Sequence, residues 1–207
     1  MERSKLQAMD NYEYIIASLP DFTADKGPSA ETPEEITEFV RSQLEEKDLV
    51  LEETLENGWK DENLNKEFYE QVLSCKNRFL REYFGFDLAV RNAKVRHLNK
   101  ALGRPEGTDI FMEQEDPDTE LESTLDKIYE DNDILAKERA IDRLFWEKID
   151  DITTFDYFDI DAILGFLAKL HITSRWMALD ESNGRALFRQ LTQEVQSTFK
   201  GVNYKEN

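Results

Sequence analysis

Leu64, Phe68, Val72, Cys75, Phe79 and Tyr83 follow one another in steps of three or four residues. That spacing gathers all six on one face of an α-helix but scatters them over both faces of a strand, so the stretch can bury its apolar side only as a helix. "FDLAVRNAKVRHLNKALG" continues the helix to Gly103. The same period recurs along the chain. At "TPEE", Thr32 can N-cap, Pro33 suits the first helical position and Glu35 closes a capping box. Ile36, Phe39 and Val40 then begin a stripe that runs through "VRSQLEEKDLVLEETLEN" to a stop at Gly58. Before it lie "NYEYIIASLP", a short apolar segment stopped by Pro20, and the loop-like "DFTADKGPSAETP". "RPEGTDIFMEQEDPD" reads as a connector. "TELE" at 119–122 is a second capping box, opening a helix through Leu125 and Ile128. Leu135, Ile141, Leu144, Phe145 and Ile149 mark the next helix, and Leu187, Leu191, Val195 and Phe199 a last one. Runs of β-branched residues between turn signals are nearly absent. The expected fold is all-α, a helical bundle in one mostly helical domain spanning 1–207.

Sliding the chain by 74 positions lays Tyr83, Phe84, Asp87 and His97 over Tyr157, Phe158, Asp161 and His171. "LNKE" at 64–67 resembles "LAKE" at 135–138, and "ALGRPEG" resembles "ALDESNG", each at a slightly different offset. Two related helical units are expected, about 64–111 and 135–188, after an N-terminal segment 1–58. Their shared phrase, "EYFGFD" and "FDYFDID", has a local reading. Gly85 and Asp159 fall where N-caps belong, Asp87 and Asp161 sit in the first turn facing the helix dipole, and Phe158 can staple onto Ile163.

Charge narrows the function classes. The 45 acidic and 26 basic residues leave a formal net charge of -19, which repels a phosphate backbone and makes nucleic acid a poor partner. A hydrophobic content of 40% with thirteen Phe and seven Tyr still supports a real core. One cysteine, Cys75, allows no intrachain disulfide and suggests a reducing compartment. No stretch reads as a signal peptide or a membrane span, so the expected location is cytoplasmic.

Few residues invite chemistry. "DDITTFDYFDID" is rich in carboxylates but lacks the fixed oxygen spacing and central glycine of a calcium loop. His97 and His171 have no neighbouring Cys, His or Glu at ligand spacing. Asp161 and His171, ten residues apart on one helix, are separated by roughly 15 Å and cannot act as an acid–base pair. No nucleophile elbow, phosphate loop or dinucleotide fingerprint is present, and Cys75 lies on the apolar stripe as a packed thiol. No catalytic residue, metal or cofactor is expected. An acidic surface with Trp59, Trp146, Trp176 and the aromatics of "DIFMEQ" and "FDYF" suits protein–protein contact as well as core packing.

"NYEYIIASLPDF" together with "YFDIDAILGFLAKLHITSRWMALD" resembles an uncharacterised bacterial family of acidic proteins encoded among the components of V-type rotary ATPases. More distantly, the two units resemble the helical units of the ATPase's C-type (or d-type) central-stalk protein, where an aromatic–Asp motif precedes a helix carrying Lys and Arg. The matching positions are Tyr83, Phe84, Asp87, Asn92 and Arg96, and Tyr157, Phe158, Asp161, Lys169 and Arg175. The central-stalk protein has three such units and this chain shows two. The resemblance implies a non-catalytic coupler of that C-type kind, or an assembly factor, that meets the rotor or central-stalk components and the membrane rotor ring, peripheral to the membrane. Tyr157, Phe158 and Asp161, then Tyr83, Phe84 and Asp87, are its expected structural or interface positions. An acidic adaptor unrelated to the ATPase and a carboxylate–metal enzyme are the alternatives.

Overall fold

The computed structural model describes residues 11–112 and 118–178. These residues form helices and connecting turns, with a single isolated bridge between Thr23 and Lys26 in place of any sheet. The fold is all-α, as the periodicity requires. The stripe at 187–199 and the end of the second unit lie outside the described residues.

Residues 11–18 are helical (α1), followed by α2 (Pro33–Gln43), α3 (Glu46–Asn57), a 3-10 turn (Asp61–Asn63), α4 (Lys66–Leu73), α5 (Arg78–Ala101), α6 (Thr119–Tyr129), α7 (Ile134–Thr153) and α8 (Ile160–Ala178). α2 opens with the expected capping box: the Glu35 amide donates to Thr32 Oγ1 while the Thr32 amide donates to Glu35 Oε2. α3 stops at Gly58. Gly103 takes φ 65° after α5, a left-handed turn that glycine adopts without strain and that lets the Arg104 amide reach back to the Asn99 carbonyl at 2.8 Å.

Three boundaries differ from expectation. The stretch 32–58 is two helices, because Leu44 turns into an extended conformation and buries its side chain. No glycine, proline or capping side chain marks that bend: Glu45 N-caps α3 without a side-chain hydrogen bond. The stretch 64–103 is also two helices. Asn77 Oδ1 accepts from the Leu80 amide and starts α5, while Arg81 takes the Cys75 carbonyl freed by the break. The apolar steps have the same length on both sides of the break, so periodicity alone cannot reveal it. Finally, Asp118 rather than Thr119 caps α6, accepting from the Glu120 and Leu121 amides.

One apolar cluster joins α1 to α5, α7 and α8, with Phe79, Phe84, Ile149, Ile163 and Leu164 at its centre. Gly165 lets α8 approach α7 closely, since a Cβ there would lie 2.7 Å from Thr153 Cγ2. α6 packs onto α5 and α7 through a smaller cluster that includes Val90, Leu121 and Leu125. Near the far end of α8, Asp142 of α7 accepts from Arg175 at 2.5 Å and from the Trp176 indole at 2.6 Å, and Arg139 lies 3.9 Å over the Trp176 ring.

Candidate functional site

The phrase "FDYFDID" connects α7 to α8, and its acidic and aromatic residues separate into two roles. The carboxylates point to specific partners. Asp156 pairs with Arg78, Asp159 Oδ1 accepts from the Ala162 amide at 3.1 Å as the cap of α8, and Asp161 accepts from Asn77 Nδ2 at 2.5 Å with Arg78 Nε 3.8 Å away. Asn77 and Arg78 open α5, so the connection is tied to another helix on both sides of Tyr157 and Phe158. Burial raises the pKa of Asp156 and of Asp161, and the neighbouring Asp159 charge pushes each in the same direction.

The aromatics are left facing solvent. Phe155 is 83% exposed, Tyr157 68% and Phe158 52%. The expected staple of Phe158 onto Ile163 is therefore corrected: Ile160 is the residue of this turn that packs against the core. A ring exposed on a tethered connection presents apolar area at little further cost in chain entropy.

The first copy of the phrase has a different setting. Tyr83 and Phe84 are 5% and 1% exposed, deep in the main cluster, and Gly85 lies inside α5 rather than at its cap. The continuous stripe through Phe79, Tyr83 and Phe84 outweighs the modest helix penalty of one glycine. Asp87 is a full two turns into the helix, where it accepts from the Tyr69 hydroxyl and from Arg91 Nε at 2.9 Å. Tyr83, Phe84 and Asp87 are thus structural, and the two copies do not occupy equivalent places in their helices. The other positions of the resemblance are also internally engaged. Asn92 donates to the Met112 carbonyl at 2.7 Å, Arg96 pairs with Glu122, Lys169 with Asp150 and Arg175 with Asp142.

The two histidines do not meet. His97 Nδ1 lies 2.8 Å from Asp126 Oδ1, whereas His171 stacks on Trp59 with ring centroids 4.0 Å apart and planes within 8°. Among the described residues no three His, Cys, Asp or Glu side chains gather as a metal site, and no helix is long and apolar enough to cross a membrane.

The Trp59–His171 stack separates two clefts that the sequence did not disclose. One, about 600 Å³, lies between α2, α3 and α8; the other, about 400 Å³, lies between α5, α7 and α8 and reaches Tyr83, Asp142 and Arg175. In the second, the Trp59 indole N–H lies beside the Tyr83 hydroxyl without a hydrogen bond of ordinary geometry, and the Tyr129 hydroxyl is buried without a partner among the described residues. The only legible trace of the first cleft is the four-residue spacing of Glu34 with Glu38 and of Glu52 with Glu56. The unmarked bend at Leu44 is what turns those pairs toward each other.

Burial pushes the His171 imidazole down to about 4, and the Arg175 charge acts in the same direction. A folded histidine that resists protonation contributes stability that is present above the ordinary value of 6.5 and is lost as pH falls from there toward 4. His171→Phe keeps a ring on Trp59 and removes that titration. The urea midpoint of the wild type relative to this variant should fall as pH drops below about 6.5; parallel curves would show that the imidazole is freely protonated in the fold.

No curated protein and no solved structure matches the chain. A family model matches residues 50–198, from within α3 through α8, including both copies of the aromatic phrase. The chain accordingly belongs to the family described as Protein of unknown function (DUF2764).

Proposed function

We propose that the protein is a non-catalytic coupling component or assembly factor of a V-type rotary ATPase, and that it docks through the α7–α8 connection. The observation that carries this reading is the outward presentation of Phe155, Tyr157 and Phe158 on a segment anchored to α5 through Asp156 and Asp161. Clustered aromatics on a preorganised backbone are the usual source of binding energy at a protein interface. The resemblance of "YFDIDAILGFLAKLHITSRWMALD" to proteins encoded with V-type ATPase components supplies the partner: the soluble rotor proteins or the membrane rotor ring. An all-helical body in which Arg41, Arg78, Arg91, Arg96, Arg139 and Arg175 are each committed to carboxylates of the same chain supports transmission by shape and contact.

Native mass spectrometry of the protein with the soluble rotor proteins, and separately with the detergent-solubilised ring, tests this directly. A stoichiometric complex is expected with one of them. The triple variant Phe155→Ser, Tyr157→Ser and Phe158→Ser should keep its melting temperature within a few degrees, because these rings contribute little to the core, and should lose the complex. Absence of any wild-type complex with either preparation would overturn the ATPase assignment. A complex untouched by the triple variant would move the contact elsewhere on the surface.

A further inference from the structure

We infer that the cleft between α2, α3 and α8 is a docking groove for a basic amphipathic helix of a partner protein. This surface is independent of the aromatic connection: its α8 residues lie between Leu167 and Ser174, beyond the helix start at Ile160 by roughly 10 to 20 Å. It therefore stands whichever assembly the connection meets.

Three features define the occupant. The first is size. A concave volume of about 600 Å³ is ample for several side chains of one helical face. The second is the arrangement of charge. α2 contributes Glu34 and Glu38 and α3 contributes Glu52 and Glu56, so each wall carries two carboxylates one helical turn apart, about 6 Å along the axis. Among the described residues Arg41 is the one cationic side chain lining the cleft, and it is already committed: its Nε binds both Glu52 oxygens at 2.9 Å and its Nη2 binds Glu56 at 2.8 Å. Glu34 and Glu38 have no basic partner among the described residues and are exposed along the rim. Four carboxylates against one guanidinium leave a net deficit of three positive charges. Lysine or arginine at positions four apart on an incoming helix has the matching spacing.

The third feature is the wall itself. The stacked Trp59 and His171 rings, flanked by Leu55, Leu167 and Leu170, give a flat, largely apolar surface beneath the rims. His171 remains neutral at physiological pH and adds no competing cation. Aliphatic stems of lysine and arginine lie well on such a surface while their charged ends reach carboxylates at the edge. A helix laid into a groove in this way uses one face for apolar contact and the flank of that face for charge pairing.

The probe is a synthetic peptide of about 18 residues, roughly five helical turns, with leucine along one face and lysine pairs four apart beside it. Two companions carry glutamate in place of lysine, or serine in place of leucine. Titration of the isotope-labelled full chain is followed by the indole N–H signals of Trp59, Trp146 and Trp176. The lysine–leucine peptide should shift Trp59 selectively and the glutamate peptide should not bind. Glu34→Gln/Glu38→Gln/Glu56→Gln, which leaves the Arg41–Glu52 pair in place, should weaken binding at least about ten-fold. Glu13→Gln/Glu53→Gln/Glu147→Gln removes the same number of acidic charges elsewhere, all of them exposed, and should change affinity less than about two-fold. Equal losses in both triple variants would mean general attraction to an acidic chain and would overturn the groove. Binding without a Trp59 shift, or equal binding of the serine–lysine peptide, would equally overturn an amphipathic occupant, the latter pointing to a simple polycation site.

Discussion

Phe84→Ala is expected to cost about 3 to 5 kcal/mol of folding stability, a large share of the total for a domain of this size. Phe84 is 1% exposed and stands edge-on to two rings at once, Phe68 at 5.0 Å and Tyr83 at 5.1 Å between centroids. Truncation removes the transfer energy of the ring, both aromatic contacts and the support under Gly58, and α4, α5 and the end of α3 cannot all close on the gap together. Chemical denaturation should show the loss as a lower midpoint with an unchanged slope. Phe158→Ala provides the contrast within the same sequence pattern. Its ring is 52% exposed, and its removal should change stability by no more than about 0.5 kcal/mol. Similar losses at the two positions would mean that the α7–α8 connection is buried in solution.

Gly58→Ala is the second large effect. The backbone there has φ -73° and ψ -8°, which alanine adopts without strain, so the conformational change alone would favour the variant slightly. Space decides the outcome. A Cβ at this position would lie 2.1 Å from Phe84 Cζ, 2.2 Å from Phe84 Cε1 and 2.8 Å from Phe68 Cζ. The obstructing Phe84 ring is itself 1% exposed and braced by Phe68 and Tyr83, so moving it disturbs both contacts and the substitution should cost about 3 kcal/mol, at the upper end of overpacking effects. The two predictions are coupled through one ring. In Gly58→Ala/Phe84→Leu the smaller side chain vacates the space that the methyl needs, so the double variant should be more stable than the sum of the single losses by about 1 kcal/mol or more. Strict additivity in that cycle would show that the clash is relieved by movement of α3 and not at Phe84.

How much of this was legible in the residues depends on what each feature requires. Within the described residues, the helices, the capping box at Thr32 and the stops at Gly58 and Gly103 follow from short-range patterns, and they are present. The bends at Leu44 and Ser74–Asn77 do not follow from such patterns, because a helix that ends for tertiary reasons keeps its apolar period on both sides. Asn77 is instructive. Its Oδ1 caps α5 and its amide nitrogen reaches Asp161, so the second contact rewards the break, and that contact spans 84 residues. The repeated phrase misled for a related reason. Tyr and Phe beside Asp describe a helix start equally well as the buried face of a helix already begun, and only an upstream cap at Asn77 decides between them. Of the six candidate positions, Tyr157 and Phe158 are free to meet a partner, Asp161 anchors their backbone, and Tyr83, Phe84 and Asp87 serve the interior. The acidic cleft needed the fold itself, since its two walls come to line one cleft only after the chain bends at Leu44.

The double tether between the start of α5 and the α7–α8 connection also makes that surface a reporter of completed folding. Its aromatics have a defined orientation only once segments about eighty residues apart have docked, so a nascent or partly unfolded chain carries the same residues without the same epitope. Any molecule that recognises the oriented rings selects the native chain over the denatured ensemble and raises its stability by mass action, more so as the ligand concentration exceeds the dissociation constant. Assembly and quality control then become one event.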